Sequence, residues 1–316
     1  MEEFRNHPLY KVHTLDTFMS SLWEYYKRNF LVLFVVSFII SLTTQYISSM
    51  VMIDINSLQA EAETDPMAVL EKMKEFIVPM AIISLLSLVF TVILQHYIIY
   101  NPVDETNTIL KSVIRSLKYY IPFLIILILL SFTGAIAIVL GLLLLVVGAV
   151  FAGIYIALIY LFILPVMMAE NTDIGSTITR VFMLAHRGFW KNFGWTAVFL
   201  AILIVTSMIL SSLVLLPFSA SFLKTIINPE DVTAVTDMTK NPVFIILSSL
   251  ANALTIPLMP IFSAILYFNS RAAEQNLNND YLPAKEENRV KVEDLYAKPY
   301  SDDHPENPEN KKDSAE

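Results

Sequence analysis

Chemistry in this chain would have to come from five histidines, one carboxylate beside an apolar run, and a few stripes of hydroxyl residues. Imidazole suits iron, and a membrane iron oxygenase needs several histidines converging on one ion. His7, His13, His96, His186 and His304 do not offer that pattern, because only His96 and His186 stand at the edge of an apolar run. Glu170 is the carboxylate nearest an apolar run and reads as a helix-end anion facing Arg180 or Arg187. The chain shows no nucleophile elbow, phosphate-binding glycine loop, HExxH zinc motif or carboxylate pair on one helix face. It has no cysteine, which removes disulfides, thiolate metal sites and cysteine nucleophiles. The expectation is a non-enzymatic protein with no cofactor and no metal.

The hydroxyl stripes are the remaining candidates. Ser37, Ser41, Thr44 and Ser48 recur at helical spacing, as do Ser84, Ser87, Thr91 and Gln95. A third stripe holds Ser248, Asn252 and Thr255, followed by Ser263. Small hydroxyl residues let helices approach closely, each cross-helix hydrogen bond contributing about 0.6 kcal/mol. Ser248, Asn252 and Thr255 are the candidate polar seam, beside a segment broken by Pro257 and Pro260.

The elements carrying these residues follow from composition. Hydrophobic residues make up 55% of 316 positions, charged residues only 16%, and mean hydropathy is +0.59. Lipid must therefore be part of the solvent. Runs without Asp, Glu, Lys or Arg cover 30–52, 77–100, 121–168, 193–222 and 243–268. The 48 residues of the third would extend about 72 Å as one helix, more than twice a hydrocarbon core of about 30 Å, so it must fold back. Gly141 is the expected turn. The runs are continuous rather than alternating, which favours helices over a barrel. The expected architecture is an all-α integral membrane protein, with spans at 30–52, 77–99, 121–140, 143–168, 193–217 and 243–268. No cleavable signal peptide is expected ahead of the first span.

Basic residues give the orientation. Ten flank one set of span ends, from Arg5 to Lys191, against Lys72, Lys74, Lys224 and Lys240 at the other. The positive-inside rule then sets both termini in the cytoplasm of a multi-pass protein of the inner membrane. Before the first span, Leu15, Phe18, Met19, Leu22 and Tyr26 form one helical stripe; Ile178, Val181, Phe182, Ala185 and Phe189 repeat it before the fifth. Leu110, Val113, Ile114 and Leu117 do so before the third. The unit is thus a cytoplasmic interfacial amphipathic helix followed by a hairpin of two spans, repeated three times. The related boxes YKRNF (26–30) and FWKNF (189–193) open the first and fifth spans, with Asn29 and Asn192 expected at the bends. Tyr26, Lys27, Trp190 and Lys191 are the candidate headgroup contacts.

Residues 1–272 form the expected membrane domain, and 273–316 a polar, disordered cytoplasmic tail that contains PENPEN. Its only apolar cluster, Val290–Tyr300, is a candidate docking segment for a protein partner. Membrane lipids are the expected partners, and the absence of a dense basic patch argues against nucleic acid. No Asp, Glu, Lys or Arg lies within a span core, which counts against an ion-driven transporter.

Three segments carry a family resemblance: LPVMMAEN at Leu164–Asn171, STITRVFMLAHRGFWKNFGW at Ser176–Trp195, and PLMPIFSAILYFNSRAAEQ at Pro257–Gln275. They resemble the membrane-domain family associated with glycerophosphodiester phosphodiesterases, mostly bacterial six-span proteins. Tyr267, Asn269 and Arg271 approximate that family's Tyr-x-Asp-x-Arg pattern, with Asn in place of Asp. The resemblance implies a helical domain in the cytoplasmic membrane; the soluble barrel of some relatives is not expected here, so the enzymatic name does not transfer. The function expected is that of an envelope protein that organises membrane or binds headgroups or a partner. The alternative is a lipid or small-molecule permease using the Ser/Thr seam between spans one, two and six.

Overall fold

The computed structural model describes residues 2–50, 66–104, 106–220, 223 and 238–281. The acidic stretch at 230–237 and the tail cluster at 290–300 lie outside them. The chain divides after Ala273 into two units. The first holds all of the helical bundle, and the second opens with the last turns of the final helix.

Nine α-helices make up the described residues, with no strand among them. They are α1 (Leu15–Arg28), α2 (Phe30–Met50), α3 (Pro66–Tyr100), α4 (Ile109–Leu143) and α5 (Leu145–Glu170). There follow α6 (Ile174–His186), α7 (Phe189–Leu215), α8 (Pro242–Thr255) and α9 (Leu258–Tyr281). Six segments are long and apolar enough to cross a membrane: Phe30–Met50, Phe76–Tyr100, Ile109–Leu143, Leu145–Glu170, Phe189–Phe218 and Pro242–Asn276. Starts are set by short polar side chains that take the free N–H groups of the first turn. Thr14 and Thr17 form a reciprocal capping box at α1, Thr108 caps α4, Asp173 caps α6, and Asn241 precedes Pro242 at α8.

Neighbouring spans pack in the order α2, α3, α4, α5, α7, α8 and back to α2, a closed ring. Buried residues gather at the starts of α2, α4 and α7, the ends of α3 and α5, and the stretch of α9 from Ile261 to Ala272. Contacts such as Phe123 with Tyr160 and Tyr267 with Glu170 bring these ends together. This is the collar end, where α1, α6 and the N-terminal segment also pack. The apolar windows of the spans bury little inside the protein, from 11% in Phe189–Phe218 to 33% in Pro242–Asn276. Their free surface is Leu, Ile, Val and Phe, suited to lipid.

Three expectations change. The turn between the third and fourth spans is at Leu144, whose N–H bonds Gly141, with Leu145 at φ 69°. Gly141 instead provides a close crossing: a Cβ there would stand 2.7 Å from the Gly148 carbonyl oxygen. The middle interfacial helix does not exist separately, because α4 runs unbroken from Ile109 through Pro122 into its span. The other two copies break at Asn29 and at Gly188, which takes φ 78°; the middle copy has neither residue. The apolar stripes of α1 and α6 face the bundle in large part: Phe18, Leu22, Tyr26, Val181 and Ala185 are buried, whereas Leu15 and Phe182 stay exposed. The last helix, α9, continues to Tyr281, across the division of the chain after Ala273. The break in the last span falls at 256–257, where Pro257 was expected to kink it.

The two glycine contacts make a test. Gly148→Ala would push a Cβ into the Gly141 carbonyl, whereas Gly134→Ala meets only the mobile end of Ile156 at 3.1 Å. Gly148→Ala should cost about 1–3 kcal/mol in detergent thermal unfolding, and Gly134→Ala should be neutral or stabilising.

Candidate functional site

The collar end is built from the last polar groups of the spans and the chain segments laid over them. Where α3 stops, its Ile98 carbonyl has no helical partner. The Tyr25 hydroxyl donates to it at 3.1 Å, and His7 Nε2 lies 3.3 Å away. The Leu9 N–H donates to His7 Nδ1 at 3.1 Å, so the proton sits on Nε2 and is given to Ile98. The His7 ring stacks on Phe268 at 4.4 Å. Residues 4–13 therefore form a strap across the bundle end. Its far end is held through the backbone of His13, whose N–H donates to Asn269 Oδ1 at 2.9 Å and whose carbonyl accepts from Lys191 Nζ at 3.1 Å.

Glu170 closes α5 at the same end. Arg180 Nε reaches both of its oxygens, at 3.1 and 3.0 Å; Arg271 Nε forms an ion pair with Oε1 at 3.3 Å; and the Tyr267 hydroxyl donates to Oε1 at 3.1 Å. Side-chain exposure of 11% for Glu170 and 15–16% for the arginines separates this cluster from a solvated surface pair. The expected partner Arg180 is thus in place. Arg271 and Tyr267 come from α9, some hundred residues on, and only their i, i+4 spacing signalled a shared face. Asn269, between them, points to the other side and holds the strap.

The candidate headgroup residues separate. Trp190 is 74% exposed, and Lys27 lies over the Trp23 ring at 5.8 Å, both at the surface. Tyr26 is 4% exposed and donates to the Leu254 carbonyl, in the last turn before the Pro257 break, so it is a packing residue. Lys191 holds the strap and sits 4.4 Å from the Trp195 ring. Asn192 is not at the bend: it lies inside α7, and its amide reaches back to the carbonyls of Leu184, Ala185 and Arg187 that end α6.

The seam residues all lie on α8, whose neighbours in the ring are α2 and α7. Ser248 and Asn252 are half-buried, and the Thr255 hydroxyl bonds the Asn252 carbonyl of its own helix. Ser84, Ser87 and Thr91 on α3 also donate to carbonyls of their own helix. The four described histidines do not converge: His96 faces Ser112, His186 faces Tyr155 and the Phe182 carbonyl, and His7 and His13 belong to the strap, while His304 lies outside the described residues. Cavities among the described residues lie both along a span and at the collar end. An apolar groove of about 510 Å³ runs along α7 past Leu203, Ser207, Met208 and Ser211, and a polar cavity of about 660 Å³ lies between the strap and α1.

No protein family, curated protein or solved structure matches the chain.

Two measurements test this end. Glu170→Gln leaves two part-buried arginines facing a neutral group and should lower stability by about 2–3 kcal/mol, read as detergent thermal unfolding. Burial lowers the pKa of His7 from 6.5 to about 4. The unfolded chain then binds the extra proton between those values, so His7 adds stability that is complete above pH 6.5 and is lost as pH falls toward 4. The loss should reach up to about 3 kcal/mol, and His7→Gln should flatten the pH dependence of unfolding.

Proposed function

We propose that this chain is a non-enzymatic, membrane-organising protein of the cytoplasmic membrane, with its collar end and both termini in the cytoplasm and phospholipid headgroups as the ligands of its collar. One observation carries the reading: the collar end carries basic side chains interleaved in sequence with exposed apolar ones. Trp23 and Trp190 are exposed beside Lys27 and Arg187, and Leu110, Ile114 and Leu117 are exposed among Lys111, Arg115 and Lys118. Rings and aliphatic groups interleaved with Lys and Arg suit the boundary between hydrocarbon and water, where each finds its own solvent. The excess of basic residues at this end supports the orientation. The resemblance to the membrane-domain family of glycerophosphodiester phosphodiesterases supports the same compartment. A protein partner engaged through residues beyond 281 belongs to the same reading.

Native mass spectrometry of gently purified protein tests it. Phospholipid should remain bound to the full chain, and a reporter fused after Glu316 should read out in the cytoplasm. A retained water-soluble solute that is lost in Asn252→Leu would replace this reading with the permease one. An external reporter signal would overturn the orientation.

A further inference from the structure

The polar cavity under the strap has more structure than a headgroup layer requires. Its α1 wall is set by helical spacing: Ser21, Glu24, Tyr25 and Arg28 recur at i, i+3, i+4 and i+7, so their side chains stack along one face. The opposite wall is the strap, with Asn6 and Lys11, and Asn101 closes the far side just after α3. The strap is fixed there by the His7, Asn269 and Lys191 hydrogen bonds, so Lys11 is carried on a docked segment. Among the described residues neither Lys11 nor Arg28 has an ion-pair partner, and Ser21 is buried in the wall between them. At about 660 Å³ the cavity lies in the size range of small-ligand sites. It opens where α2 begins and α3 ends, which is headgroup depth in the proposed orientation.

We infer that this cavity is a binding site for a phosphate ester carrying a hydroxyl or ammonium group, held by Lys11 and Arg28 on the phosphate and by Glu24 on the second group. The inference rests on the headgroup reading above and narrows it to one place. Two cations on opposite walls match an anion with several acceptor oxygens, and Arg28 can present two N–H groups to it. Ser21 and Asn101 add neutral hydrogen-bonding groups. Glu24 disfavours a bare dianion and favours a ligand that brings its own donor. A phospholipid headgroup and a soluble phosphate ester share this chemistry.

The test uses the full chain and the double variant Lys11→Gln/Arg28→Gln, with Lys118→Gln as a basic collar control outside the cavity. Phospholipid retention is counted by native mass spectrometry, and affinity for glycerol 3-phosphate is measured by titration in detergent. Unfolding temperatures within a few degrees of each other establish that all three forms are folded. Loss of charge-assisted bonds should weaken binding by about 10-fold or more in the double variant and leave Lys118→Gln unchanged. Loss confined to retained phospholipid identifies a lipid headgroup; loss of saturable glycerol 3-phosphate binding identifies a soluble ester. Equal retention and affinity in the wild type and double variant overturn the site while leaving general headgroup contact intact. A wild-type chain that keeps no phospholipid and binds no glycerol 3-phosphate overturns both.

Discussion

Hydrocarbon donates no hydrogen bonds, so each carbonyl left over where a span ends or breaks must find a donor inside the protein. At the collar end that constraint selects the side chains. Ile98 is served by His7 and Tyr25, Met168 by Tyr100, Leu254 by Tyr26, the end of α6 by Asn192, and Tyr25 by Asn29. Tyrosine suits the task because its ring packs with the apolar core while its hydroxyl reaches a backbone oxygen. The same bonds that close helix ends also fasten α1 and the strap to the bundle, so capping and docking are one event. The spans' other ends have little such cross-linking among the described residues, and their burial is correspondingly low.

Charge at this end obeys the same logic. Glu170 terminates α5 where the helix dipole is negative, an unfavourable place for an anion, and two arginines with a tyrosine hydroxyl offset that cost. The cluster ties α5, α6 and α9 together, while Asn269 and Lys191 tie α9 and α7 to the strap. Between them these contacts hold the walls of the polar cavity in register, which is why a site can exist at a place made mostly of chain termini and turns.

The spans were legible because charge-free windows of the right length admit few alternatives: 30–52 and 143–168 differ from the observed helices by two residues at each boundary that moved. The partner of Glu170 was legible too, since a lone carboxylate at a helix end needs a cation close in sequence. What periodicity could not settle was which environment an apolar stripe meets. The α1 stripe suits a headgroup layer and a protein core equally, and only the packing of Phe18 between Trp195 and Phe262, at 4.7 and 4.9 Å, decides for the core. Tyr26 and Lys191 changed role for the same reason. The break before α7 was expected at Asn192 because both copies of the repeated box carry Asn before their final Phe, whereas Gly188, able to adopt φ 78°, turns the chain. The cavity was invisible because Lys11 and Arg28 meet only after the strap has folded back over α1.

The account depends on the strap being docked rather than free. Hydrogen exchange of the full chain in lipid nanodiscs, followed on peptides covering residues 4–18, tests this directly. Docking through His7, Asn269 and Lys191 predicts protection of the Leu9, Tyr10 and His13 amides well above random-coil rates, with loss of His13 protection in Asn269→Leu. Exchange of the wild-type strap at random-coil rates would contradict it.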